Sequence, residues 1–214
     1  MTLSNLKKRT YTSIFLLLFL YLFYSYKPMF LFGLIVLGII SLLEFFNLSK
    51  KIFVSRFLSL ISNLFFILFI FLFCIFFFLF SSFQEFKTLS FIILLTCIFS
   101  DIGGYIFGNI FKGPKLSKIS PKKTIAGALG SIISSSFILS LMIFYLIKFF
   151  SFKIILLGIL ISTVCQIGDL FFSFLKRKAK IKDTGNFLPG HGGVLDRLDG
   201  IFFGWPVGLI SFFI

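Results

Sequence analysis

Acidic side chains are scarce in this chain: Glu44, Glu85, Asp101, Asp169, Asp183, Asp196 and Asp199 are all it has in 214 residues. Charged residues of either sign make up 13%, while 58% are hydrophobic and the mean hydropathy is +1.10. A soluble domain is about half apolar and about one quarter charged, so a water-soluble fold is excluded. Histidine occurs once, at His191, and cysteine three times, at Cys74, Cys97 and Cys165. The cysteines all lie inside apolar segments, without metal-ligand spacing or an extracellular setting for pairing, and are read as small buried hydrophobes. The first apolar run follows Lys7, Lys8 and Arg9 as a signal peptide would, but no small-residue cleavage site follows it.

What the chain does have is long apolar runs, at residues 13–26, 28–46, 57–80, 89–111, 125–147, 153–175 and 195–214. Most approach the ~20 residues that cross a hydrocarbon core. They are continuous rather than alternating, which favours helices over barrel strands, because each backbone polar group in lipid must bond within its own segment. The expected fold is all-α: a polytopic integral membrane helical bundle of about seven transmembrane helices, within a range of roughly six to nine. Residues 13–26 are expected to form a retained first helix or half of a short helical pair. The 37 phenylalanines are spread along the apolar runs and are expected to face lipid. Genomic base bias explains them more simply than an aromatic binding surface.

A net charge of +14 invites a nucleic-acid partner, but its placement argues for topology instead. All but Lys27, Lys87, Lys148 and Lys153 of the 21 basic residues fall at the N-terminus or in alternate connections. The positive-inside rule then puts the N-terminus and the loops 112–124 and 176–200 in the cytoplasm, and no nucleic acid is called for.

All five aspartates lie from residue 101 onward. Residues 1–100 are therefore expected to be transmembrane scaffold and lipid contact, and residues 101–214 the catalytic region. Glu44, near the cytoplasmic end of the second run, is the exception in the first half. Asp101 and Asp169 sit inside apolar runs, where an ionisable group costs at least ~2.5–3.5 kcal/mol and is by default a functional candidate. Asp169 precedes Leu175, the last apolar residue of its run, by six positions, which puts it roughly 9 Å inside that end. Starting the last helix near Leu195 gives it a membrane-spanning length and puts Asp196 and Asp199 on one face of its opening. There they could meet Asp169. Three such carboxylates need a cation, and hard oxygen ligands suit Mg²⁺ bound together with substrate phosphates. The plainer alternative is that each aspartate pairs with a lysine to steady the bundle.

The most informative stretch is SFLKRKAKIKDTGNFLPGHGGVLDRLD, Ser173 to Asp199. Ser173, Lys176-Arg177, Lys182-Asp183, Gly185, Leu188-Pro189, His191-Gly192-Gly193, Asp196-Arg197 and Asp199 together closely resemble the signature of bacterial phosphatidate cytidylyltransferases. A looser block also looks like that family: Asp101, Gly104-Tyr105, Gly108, Lys115-Leu116, Ser120-Pro121, Lys123-Thr124 and Gly127. With Gly168-Asp169, the resemblance covers about residues 100–210.

The resemblance implies transfer of the cytidylyl group of CTP to phosphatidate, giving CDP-diacylglycerol and pyrophosphate, at the cytoplasmic face of a bacterial inner membrane. It implies metal binding at Asp169 and Asp196, with Mg²⁺ as the ion and K⁺ a candidate second cation. Lys176, Arg177, Lys182, His191 and Asp199 join those two as expected catalytic residues. Ser173, Lys123, Thr124, Gly192, Gly193 and Arg197 are expected nucleotide contacts. For Asp183 a further metal contact and a salt bridge with Lys182 stand level, and for Lys178 and Lys180 a topological or lipid-binding role is favoured. His191 is expected to touch phosphate or cytidine, and Thr124 either receives an anion or simply caps the helix after it. The substrates CTP and phosphatidate, membrane lipids and a homodimer partner complete the expected contacts. The rival readings are a CTP-dependent enzyme with another lipid acceptor, an ion-coupled transporter, and an inactive structural relative.

Overall fold

The computed structural model describes residues 18–117, 119–121, 123–187 and 192–213. The described residues form helices and connecting loops with no strand, and Lys115 and Thr124 form an isolated bridge. The helices are α1 (residues 18–25), α2 (Lys27–Ile52), α3 (Arg56–Ser82), α4 (Gln84–Phe111), α5 (Ile125–Ile147), α6 (Phe152–Lys178) and α7 (Leu195–Phe212). Five of these, α2 to α6, are long and apolar enough to cross a membrane, so the chain is a multi-pass membrane helical bundle.

The boundaries follow local chemistry. Only Tyr26 separates α1 from α2, and Pro28 explains the break, because it restricts the residue before it and is best placed in a helix's first turn. Residues 18–25 are helical, as the sequence suggested for 13–26, while residues 13–17 lie outside the described residues. Lys50 and Lys51 close α2, and Lys176, Arg177 and Lys178 close α6, in each case where the helix dipole favours cations. Thr124 caps α5 by accepting the Gly127 N–H at 3.1 Å.

The last helix departs from expectation. It starts at Leu195, as the sequence suggested, but ends at Phe212 after 18 residues and carries Asp196, Arg197 and Asp199 at its start. At 1.5 Å per residue it is about 27 Å long. Its three charges keep it out of the set of helices apolar enough to span.

The chain packs as two compact units, each described here by itself. One takes in residues up to Phe78 and the segment Leu175–Leu198; the other comprises Leu79–Phe174 and the residues from Asp199 on. In the first unit the phenylalanines are not merely lipid-facing, as the sequence suggested. Phe23, Phe30, Phe45, Phe66, Phe73 and Phe77 are buried. The Phe45 and Phe66 rings stack at 3.8 Å, and Phe30 meets Phe77 edge-on at 5.4 Å. The Phe23 ring lies against Gly33, where a Cβ would stand 1.6 Å from it. Ser49 ties α2 to α3 through Asn63 Oδ1 at 2.6 Å and Ser59 Oγ at 3.1 Å, the polar contacts that join helices where lipid supplies no hydrophobic drive.

In the second unit, small residues let helices approach. A Cβ on Gly127 would stand 2.8 Å from the Gly104 carbonyl oxygen, and one on Gly103 2.7 Å from that of Gly130. Several glycines of the looser sequence block are therefore contact points between α4 and α5. Ser100 and Ser162 hydrogen-bond at 2.8 Å between α4 and α6, and the buried Trp205 indole donates to the Ser90 carbonyl at 3.1 Å. Cys97 and Cys165 are buried and free, and both flank Gly204, where a Cβ would lie 3.1 and 2.1 Å from their sulfurs.

Candidate active site

In the first unit, the chain entering α7 is organised around two carboxylates. Asp196, in the first turn of α7, has both oxygens engaged. Its Oδ1 accepts from Lys176 Nζ at 2.7 Å, and its Oδ2 accepts from the backbone N–H of Thr184 at 2.8 Å and of Gly193 at 3.0 Å. The ion pair is well removed from solvent, with 11% of the Lys176 and 7% of the Asp196 side chain exposed. Lys176 reaches it from the last turn of α6.

The second carboxylate is Glu44, toward the C-terminal end of α2 and only 4% exposed. Its Oε1 accepts the Val194 N–H at 3.0 Å; its Oε2 accepts the Leu195 N–H at 2.9 Å and the Thr184 hydroxyl at 2.8 Å. The first N–H groups of a helix have no partner within it. Glu44 supplies one from a distant helix, where the α7 dipole also favours negative charge. Bonds of this charge-assisted kind contribute about 1.5–3 kcal/mol each. Thr184 is shared, its amide on Asp196 and its hydroxyl on Glu44, and the consecutive amides of Gly193, Val194 and Leu195 are divided between the same two groups.

Missing side chains make room for this. A Cβ on Gly185 would stand 2.4 Å from Glu44 Oε1, and one on Gly193 2.3 Å from Thr184 Oγ1 and 2.4 Å from Glu44 Oε2. Gly192 adopts φ +86°, where a side chain is strained, and a Cβ there would lie 3.2 Å from Asp196 Oδ2. Asp183 and Lys182 are exposed, as is Arg177, whose guanidinium reaches the Ile181 carbonyl at 3.5 Å. Arg197 is exposed in the first turn of α7, and Ser173 is partly buried on α6. His191, Leu188 and Pro189 lie outside the described residues.

In the second unit, Asp169 of α6 pairs with Lys123, each about one quarter exposed. Lys123 is held in a tight loop. Its N–H bonds to the Ser120 carbonyl at 3.0 Å, its own carbonyl accepts from Leu116 N–H at 2.7 Å, and Ile125 N–H reaches Pro114 O at 3.0 Å. Thr124 follows directly as the α5 cap, so the loop fixes the lysine's backbone at the helix entrance. Asp199 is buried, with Oδ1 accepting the Gly200 N–H at 2.9 Å, and its carbonyl oxygen lies where a Cβ on Gly168 would come within 2.7 Å. Gly168, next to Asp169 in the motif, thus admits α7. Asp101 is exposed in the middle of α4.

The sequence suggested three converging carboxylates. Among the described residues no group of three or more His, Cys, Asp or Glu side chains is arranged to hold a metal. Asp169 and Asp196 each face a lysine instead, since an ammonium neutralises a carboxylate that a second carboxylate would repel. Taken singly, each carboxylate is a hard oxygen donor of the kind Mg²⁺ accepts, since that ion usually takes one or two carboxylates and completes its shell with water and substrate phosphates.

Sequence reasoning set Glu44 apart as the exception in the first half without assigning it a role, and did not single out Thr184. The signal for Glu44 was present, since an ionisable residue in an apolar helix is a functional candidate by default. Nothing in the sequence marked its partners, which lie 140 to 151 residues away.

Comparison with known proteins gives a consistent match. The model of the cytidylyltransferase family covers residues 1–214. A protein named phosphatidate cytidylyltransferase from Helicobacter pylori is 39% identical over 134 residues, 59% of this chain and 48% of that protein. One of the same name from Rickettsia typhi is 44% identical over 138 residues, 60% of each chain. A third, from Synechocystis, is 42% identical over 125 residues, 58% of this chain and 42% of that protein. The matched part of the chain spans about half the length of these curated relatives.

Proposed function

The chain belongs to the cytidylyltransferase family, and on that premise we propose that it transfers the cytidylyl group of CTP to phosphatidate, releasing pyrophosphate and leaving CDP-diacylglycerol in the membrane. The observation that carries this reading is the Asp196 cradle: a carboxylate shielded from solvent, with a lysine on one oxygen, in a chain whose named relatives are phosphatidate cytidylyltransferases.

Phosphatidate arrives with an ionised phosphate, so no residue has to create the nucleophile. Positioning and charge neutralisation are what the protein must supply. The reaction is an in-line attack by a phosphatidate oxygen on the α-phosphorus of CTP. The new P–O bond forms as the bond to the β-phosphate oxygen breaks, and the electron pair leaves with pyrophosphate. Asp169 and Asp196, each within its own unit, are the residues proposed to hold Mg²⁺, K⁺ being a candidate second cation; a metal held there would supply charge neutralisation for the triphosphate and for pyrophosphate. Lys123 and Lys176 stand against those two carboxylates, and their ammonium groups are proposed to hold substrate phosphates. Arg177, Lys182 and Arg197 offer further donors, Arg with a fork suited to phosphate oxygens. Ser173, Thr124, Gly192, Gly193 and His191 are proposed nucleotide contacts and Asp199 a supporting carboxylate. Gly193 N–H serves Asp196 as the chain stands.

The membrane is proposed to be a bacterial inner membrane, with loops 112–124 and 176–200 in the cytoplasm. The distribution of lysine and arginine supports that orientation. Water-borne CTP then enters from the side where the catalytic lysines lie, while phosphatidate stays in the bilayer.

The test is an acceptor panel: purified protein in detergent, CTP, Mg²⁺, and in turn phosphatidate, an archaeal-type ether lipid and a long-chain isoprenoid alcohol. A cytidylylated lipid with phosphatidate alone supports the proposal. Product with one of the other acceptors and none with phosphatidate reassigns the substrate.

A further inference from the structure

We propose that Glu44 is a positioning residue for Asp196, acting from α2 through the segment that carries Thr184 and residues 193–195. The inference rests on the cytidylyl-transfer reading for the function of Asp196, but its geometry is independent of that reading. Asp196 Oδ2 is oriented by two backbone amides, those of Thr184 and Gly193. Neither amide belongs to a regular element, so something else must hold them. Glu44 does so on both sides: it binds the Thr184 side chain at 2.8 Å, and it binds the two amides that follow Gly193 at 3.0 and 2.9 Å. The carboxylate is thus two contacts away from Asp196 by two separate routes.

Structural filler does not account for this arrangement. An apolar side chain at position 44 would fill the space but leave the Val194 and Leu195 amides, both on buried residues, without acceptors at the end of a helix. Gly185 and Gly193 also leave a slot of the right size, because a Cβ on either would overlap the Glu44 carboxylate. These two glycines of the signature are therefore explained by what they admit from α2. The first hundred residues, which looked like scaffold alone, contribute one side chain to the geometry of the proposed metal site.

Full-length protein in detergent gives the test, with Glu44→Gln and Glu44→Asp. The glutamine keeps the shape but turns an N–H₂ toward N–H donors; the aspartate keeps the charge and withdraws it by a methylene. Hydrogen exchange read by mass spectrometry should show the amides of Thr184 and of residues 193–195 exchanging about tenfold faster in Glu44→Gln, with α3 and α5 peptides unchanged. The Mg²⁺ concentration for half-maximal cytidylyl transfer should rise about tenfold while KM for phosphatidate holds, as happens when the partner of a metal-binding carboxylate is lost. Glu44→Asp should recover part of both. If Glu44→Gln does not reach the membrane, Thr184→Val removes the hydroxyl bond alone and should shift both readings in the same direction by less.

Unchanged exchange at Thr184 and 193–195, or exchange raised equally over the whole chain, overturns the proposal. So does a loss of activity that tracks only the folded fraction with the Mg²⁺ requirement unmoved. If the parent chain transfers no cytidylyl group, the functional reading fails while the exchange data still decide whether Glu44 holds the segment.

Discussion

Replacing Gly193 by alanine probes the packing around both carboxylates at once. The added Cβ would stand 2.3 Å from Thr184 Oγ1, 2.4 Å from Glu44 Oε2 and 2.8 Å from Glu44 Cδ. Reaching ordinary contact near 3.4 Å requires a relative movement of about 1 Å, and hydrogen bonds of 2.8–2.9 Å weaken steeply over such a displacement. Glu44 then gives up its bonds to Leu195 N–H and the Thr184 hydroxyl. At about 1.5–3 kcal/mol for each bond to a charged group, the loss is about 3–6 kcal/mol if neither re-forms. That is a large share of the about 5–15 kcal/mol that stabilises a typical folded domain. Gly193 has no positive φ, so the cost arises from the neighbours and not from backbone strain. Gly38→Ala is the matched control, since its Cβ would meet Cys74 and Ile70 at 3.4 Å and its helix would gain a better helix former. The assay is thermal unfolding in detergent followed by cytidylyl transfer on the folded fraction. Gly193→Ala should melt well below the parent and lose most activity; Gly38→Ala should do neither. A Gly193→Ala protein with parental melting and activity would refute the reasoning.

Other expected outcomes follow from the same contacts. Asp169→Asn and Asp196→Asn should each insert into membranes and lose transfer at least about a hundredfold; near-parental activity in either variant removes that residue from the proposed metal site. Lys176→Met leaves Asp196 shielded from solvent without its cation, and chemical denaturation should show a loss of about 3–5 kcal/mol. Trp205→Phe removes the indole's bond to the Ser90 carbonyl, which keeps its partner within α4, and should lower stability by about 0.5–1.5 kcal/mol with KM for CTP unchanged.

Much of the architecture was legible because membrane helices announce themselves by composition. The sequence runs anticipated α2 to α6 to within six residues at either end, and Leu195 as the start of α7, since a run of apolar residues long enough to span has few other solutions. Thr124 as a cap was equally readable from its place before an apolar run. The span of α7 was not, because three charges at its entrance and an end at Phe212 leave it short. Nor was the burial of half a dozen phenylalanines in the first unit, since hydropathy does not say which face of an apolar helix meets protein and which meets lipid. The hold on Asp196 was the least visible part. Two of its three partners are backbone amides, which carry no residue signature, and the residue that arranges them comes from a helix some 150 positions earlier. Gly193 was expected as a nucleotide contact and Gly185 only as part of the signature; that both leave room for the Glu44 carboxylate was not readable.

The fate of the two ends of CTP tests the central claim most directly. Purified protein, phosphatidate and Mg²⁺ are incubated with CTP labelled either at the α- or at the γ-phosphate, and the lipid and aqueous phases are counted. A phosphatidate cytidylyltransferase sends the α label into lipid and the γ label into pyrophosphate. The γ label in lipid, or neither label there with well-folded protein, would contradict cytidylyl transfer.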